Sequence, residues 1–133
     1  MPVVFFTHAF PPLKYAQSIQ VARFVQYSTH TIRVICCDED SGKDYSMVEG
    51  RNGKPFEQCT VERRQTRNSL LRRVLAHVLV PDQYRGWSMR AAAQALERSW
   101  ISSDDLLVTF GEPMSVHLAG LRLKQAIGMP WIA

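Results

Sequence analysis

Long apolar runs are missing from this sequence. No stretch approaches the roughly 20 consecutive apolar residues that a membrane-spanning helix needs. The opening Met1-Pro2-Val3-Val4-Phe5-Phe6 also lacks the basic n-region and small-residue cleavage site of a secretory signal, so the chain reads as cytosolic. Cysteine is sparse: Cys36, Cys37 and Cys59 are the only three. They cannot all pair, and neighbours in an extended segment point to opposite faces, so reduced, buried thiols are expected. The four histidines, His8, His30, His77 and His117, show no Cys-x-x-Cys or His-x-x-x-His spacing, which argues against structural zinc. Neither a bound metal nor a cofactor is expected. Internal repeats and low-complexity tracts are absent as well. The net charge of +4 comes without an aromatic-interleaved basic platform, so nucleic acid is not an expected partner.

What is present has the balance of one globular domain: 133 residues, 46% hydrophobic and 21% charged. A chain of this size buries about two thirds of its unfolded surface, enough for one core but not for two lobes with a cleft between them. Val3-Val4-Phe5-Phe6-Thr7 is a short apolar run of strand-forming residues, halted by Pro11-Pro12. From about Ala16 to Ser28, Ile19, Val21, Ala22, Phe24 and Val25 fall at helical spacing, and Thr31 to Cys37 gives a second strand. Strand, helix and strand in under forty residues form a βαβ unit with a right-handed crossover. Asp38 to Gln58 reads as a long surface loop with turns at Ser41-Gly42 and Asn52-Gly53, followed by a short third strand near Cys59 to Glu62. Leu70, Leu71, Val74, Leu75, Val78 and Leu79 make one helical stripe ended by Pro81. Met89, Ala92, Ala93, Leu96 and Trp100 make another. Asp104 to Phe110 restores the strand pattern, a helix runs from about Met114 to Ile127 and stops at Gly128, and Pro130 to Ala133 begins a further extended segment. Alternating elements with continuous apolar strands predict a Rossmann-like three-layer α/β/α domain over residues 1–133, built on a mainly parallel sheet of about five strands.

In such sheets ligands bind outside the carboxyl ends of the strands, so the loops after the first and fourth strands carry the candidate site. The first, Thr7 to Ala16, contains no glycine. A dinucleotide fingerprint and a P-loop both need glycine for close backbone approach to phosphate, so neither is expected. Pro11 and Pro12 instead deliver Lys14, Tyr15 and Ala16 to a helix N-terminus, a place that favours an anion; a plain strand-to-helix turn with a solvated lysine is the alternative. The second loop holds Gly111, Glu112, Pro113, Ser115 and His117. Two residues apart on a helix, Ser115 and His117 diverge by roughly 200° and cannot form one catalytic dyad. No catalytic residue is assigned. Arg63, Arg64, Arg67, Arg72 and Arg73 crowd into eleven positions, the last two on the helix that carries the Leu70 to Leu79 stripe. That helix suits either an anionic membrane surface or the core with a solvated face.

Three stretches together resemble the N-terminal domain of the GT-B glycosyltransferases of family 4. They are Pro11-Pro12 with the helix and strand that follow, Asp82-Gln83-Tyr84-Arg85-Gly86-Trp87, and Pro113 to Gly120 running on to Gly128-Met129-Pro130-Trp131-Ile132-Ala133. The resemblance spans nearly the whole chain. It implies the N-terminal half of a two-lobed enzyme that moves a sugar from a nucleotide-sugar donor to a glycan or lipid-linked acceptor. The first lobe would hold the acceptor, and the donor-binding lobe would lie outside this chain. Carried over by position, Pro11, Pro12, Lys14, Tyr15 and Ala16 border the donor diphosphate, and Gly111, Glu112, Ser115 and His117 line the cleft. Lys14-Tyr15-Ala16 stands where the family usually has a Gly-Gly pair, and the chain stops one residue short of the acidic motif that follows in the resembling branch. The resemblance thus implies a lobe that is inactive alone. The arginine-flanked helix adds a separate expectation to the cytoplasmic one, a peripheral position on the inner face of the membrane with Arg72 and Arg73 toward the lipid. An open sheet edge would also let copies of the chain associate. A Rossmann-like binding domain without catalysis is the competing expectation.

Overall fold

The structure is a computed structural model and describes residues 1–38, 56–64, 69–78 and 81–133. Its elements are β1 (Val3–Phe6), α1 (Ala16–Tyr27), β2 (Ile32–Asp38), β3 (Phe56–Glu62), α2 (Ser69–Val78), α3 (Arg85–Glu97), β4 (Leu106–Thr109), α4 (Ser115–Ile127) and β5 (Trp131–Ile132). The five strands form one sheet in the order β3-β2-β1-β4-β5, and every pairing is parallel. The expected Rossmann-like α/β architecture is therefore present. Because β1 pairs with β2 on one side and β4 on the other, chain order reverses between β1 and β4.

Alternation along the strands sorts the core into two layers. Val4, Phe6, Ile35, Cys37 and Leu107 face one side of the sheet, where Trp87, Ala91, Ala92 and Ala95 of α3 and Val116, Ala119 and Leu123 of α4 cover them. Val3, Phe5, Ile32, Val34 and Cys36 face the other side and meet Phe10 and Val21 and Val25 of α1. The alanines of α3 and Gly120 of α4 allow close approach. A Cβ on Gly120 would lie 2.5 Å from Thr109 Cγ2 and 2.7 Å from Trp131 Nε1. Gly128, at φ 74°, ends α4 in the left-handed region and returns its N–H to the Lys124 carbonyl.

Several boundaries depart from the pattern reading. β3 begins at Phe56, earlier than Cys59, because its full length pairs with β2 from Ile32↔Phe56 to Asp38↔Glu62. β4 begins at Leu106, since Asp105 is taken up in a turn in which its carboxylate accepts the Ser102 N–H at 2.8 Å. α3 ends at Glu97, so Trp100 lies beyond it. In α1 the buried face runs through Ser18, Val21 and Val25, whereas Ile19 and Phe24 are exposed. Cys36, Cys37 and Cys59 form no disulfide, and all three are buried. Burial pushes the Cys36 thiol up to about 12, with Gln58 partly opposing through a hydrogen bond, and pushes Cys59 up to about 11. The expected turns at Ser41-Gly42 and Asn52-Gly53, the Leu79 end of α2 and the side chain of Arg72 lie outside the described residues.

Candidate functional site: the crevice at the strand-order reversal

Just outside the carboxyl ends of β1 and β4 lies a cavity of about 380 Å³, walled by His8, Tyr15, Gln17, Asp82 to Tyr84 and Glu112 to Met114. Its position is where a parallel sheet leaves room for a ligand, because the loops from the two strands turn away from each other there. The walls come from three parts of the chain, and three polar devices join them.

Gln17, in the first turn of α1, ties the two strand loops together. Its amide N–H₂ donates to Thr7 Oγ1 at 3.0 Å and to the Phe110 carbonyl. Gly111 follows at φ 68°, and a Cβ there would come within 2.9 Å of Gln17 Nε2. Asp82 supplies the second tie. Its Oδ1 accepts the Tyr84 N–H and its Oδ2 accepts the Ser115 N–H, each at 2.8 Å. One carboxylate thus closes the turn into α3 and holds the otherwise uncapped N-terminus of α4, where negative charge is favoured. The third device is aromatic. His8 is buried with its ring 4.3 Å from Tyr84 and 5.7 Å from both Tyr15 and Trp87, centroid to centroid. Trp87 donates its indole N–H to the Val61 carbonyl at 2.8 Å, and the Arg63 guanidinium lies 4.1 Å from the Tyr84 centroid.

The resulting surface combines the aromatic rings of His8, Tyr15 and Tyr84, the amides of Gln17 and Gln83, and the carboxylates of Asp82 and Glu112. Among the described residues, no lysine or arginine lines it. Hydrogen-bonding groups of both kinds beside flat apolar faces suit an uncharged, hydroxyl-rich ring better than an anion.

Of the residues singled out from sequence, Tyr15 and Glu112 line this cavity and Gly111 packs against it through Gln17. Pro11 is buried, Pro12 half-buried, and Lys14 and Ala16 are exposed without lining it. Ser115 is fully buried, contributing its backbone N–H to Asp82. His117 points elsewhere: its Nδ1 lies 2.8 Å from Thr109 Oγ1, which also accepts the Trp131 indole N–H at 2.9 Å. Ser115 and His117 are thus apart, as their spacing requires. Arg73 is exposed on α2. Sequence reading gave no role to His8, Gln17, Asp82, Gln83 or Tyr84. Asp82-x-Tyr84 does carry a signal, since an aspartate two residues before the N–H it accepts makes an Asx turn.

Among the described residues no group of three His, Cys, Asp or Glu side chains could hold a metal ion, and no helix is long and apolar enough to cross a membrane. No family model, curated protein or solved structure matches this chain.

Proposed function

We propose that this chain is the acceptor-side lobe of a glycosyltransferase that moves a sugar from a nucleotide-sugar donor to a glycan or lipid-linked acceptor, and that it turns over no nucleotide sugar by itself. The protein acts at the inner face of the membrane, bound peripherally. The observation that carries this reading is the cavity at the β1/β4 reversal, with its aromatic faces, paired amides and carboxylates and no lysine or arginine among its described lining residues. That chemistry fits the acceptor sugar. Three features of the chain support giving the cavity to the acceptor and leaving the donor diphosphate out of it: the first loop lacks glycine, the lining carries two carboxylates, and Asp82 already occupies the α4 N-terminus. In this role Tyr15 stacks on a sugar C–H face, Tyr84, whose ring already packs on His8 and Arg63, walls the site, Gln17 and Gln83 bond hydroxyls, and Glu112, at the exposed lip, accepts from a hydroxyl of the incoming acceptor.

Calorimetric titration tests the reading. Acceptor-type oligosaccharides bind, Tyr84→Ala weakens them about tenfold or more, and nucleotide sugars give no product. Tighter binding of pyrophosphate or nucleotide than of any glycoside, or glycoside binding indifferent to Tyr84→Ala, contradicts it. A purely binding domain has the same cavity and is favoured if no second lobe restores transfer when supplied in trans.

A further inference from the structure

Four aliphatic side chains of α2 are exposed. Val74 is 53% exposed and Val78 68%, beside Leu70 at 72% and Leu71 at 47%. Positions 70, 71, 74 and 78 fall within about 100° of the helix circumference, so the exposed groups form one continuous apolar arc. Soluble surfaces rarely present such an arc without a use for it.

Charge says what covers it. From Arg63 to Val78 there are five arginines and one histidine, and no aspartate or glutamate. A second copy of the same helix would therefore be repelled, and the matching surface must be negative and apolar just beneath. A helix with an aliphatic arc flanked by arginine lies in the plane of an anionic bilayer, with the apolar side chains at the acyl boundary and the guanidinium groups among the phosphates.

The chain on both sides of α2 leads to the cavity. Arg63 continues from the carboxyl end of β3 and lies against Tyr84, and Pro81 to Tyr84, just beyond the helix, line the cavity. We infer that α2 is an interfacial anchor, inserting Leu70, Leu71, Val74 and Val78 into an anionic bilayer and so setting the Asp82 to Tyr84 wall of the cavity beside the lipid surface. This deepens the peripheral position proposed above and rests on that reading only for the identity of the cavity's ligand. Lipid binding is read without any sugar, so either claim can fail alone.

The test is flotation of the whole chain with vesicles of equal parts phosphatidylglycerol and phosphatidylcholine, and with phosphatidylcholine alone. The chain floats with the anionic vesicles and not with the neutral ones, and added salt weakens the binding. Arg73→Glu lowers partitioning about thirtyfold, and Val74→Asp with Val78→Asp lowers it by about tenfold or more. Arg122→Glu, the same charge change at an exposed position of α4, leaves partitioning within about threefold of the parent chain. Circular dichroism establishes that each variant is folded. Absence of flotation with anionic vesicles, as an acidic protein partner would give, overturns the inference. So does equal flotation with both vesicle types, an unaffected Val74→Asp/Val78→Asp chain, or an equal loss in Arg122→Glu.

Discussion

Helices α2 and α4 carry comparable aliphatic spacing and meet opposite surroundings. In α4, Val116, Ala119 and Leu123 are fully buried against the sheet. In α2, Leu70, Leu71, Val74 and Val78 are exposed. Periodicity reports only that a helix has an apolar face. What brings α4 onto the sheet is the small-residue notch at Ala119-Gly120, which admits Thr109 and the Trp131 ring, together with Asp82 at its N-terminus. In α2 the exposed Arg73 follows Leu70 and Leu71 and precedes Val74.

Substitutions that treat the two helices alike should separate them. Leu123→Ala is expected to cost about 3 kcal/mol, while Val78→Ala stays within about 0.5 kcal/mol, both read from urea unfolding; equal losses would erase the distinction. Gly120→Ala comes next, at about 2 kcal/mol, because its methyl must displace Thr109 or Trp131. Its loss should be accompanied by a shifted Trp131 indole N–H resonance, and a stability at or above that of the parent chain would show that the notch is not needed. Asp82→Ala leaves the Tyr84 and Ser115 N–H groups without their acceptor and should cost about 1.5 kcal/mol. Amide exchange should quicken at the start of α4 and not in α2.

Burial also sets a proton. The Cys36 thiol is raised from 9.0 to about 12 in the folded chain, chiefly by burial. Below pH 9 both folded and unfolded states keep the proton, and stability does not depend on it. Above that, the unfolded thiol ionises while the folded one does not, so stability falls as pH rises, by up to about 1.4 kcal/mol per pH unit. Cys36→Ala should flatten the curve between pH 9 and about 11 relative to the parent chain; parallel curves would count against this burial effect.

The architecture was readable because its signals are local and repeated. β-branched and aromatic runs gave the strands, proline and glycine the stops, and their alternation the parallel sheet. Phe56 to Gln58 escaped because their strand character comes from pairing with β2, not from an apolar run of their own. The site was legible only in part. Tyr15 and Glu112 stood out because they follow strands, whereas Asp82 and Tyr84 reach the cavity from a segment that no strand rule points to. Gln17 was missed for the opposite reason: it sits in a helix whose pattern was read for its apolar face, while its amide does the joining. His117 drew notice as an imidazole near a strand end, yet its ring turns to Thr109, a partner eight residues away that only the folded sheet brings beneath it.

The central claim is that the cavity at the β1/β4 reversal takes a neutral sugar and not a diphosphate. Amide chemical-shift mapping with a methyl glycoside and, separately, with pyrophosphate addresses it most directly. The glycoside is expected to move the resonances of Gln17, Gln83, Tyr84 and Glu112, and pyrophosphate to leave them in place. Pyrophosphate shifts running from Lys14 to Gln17, with no response to the glycoside, would contradict it.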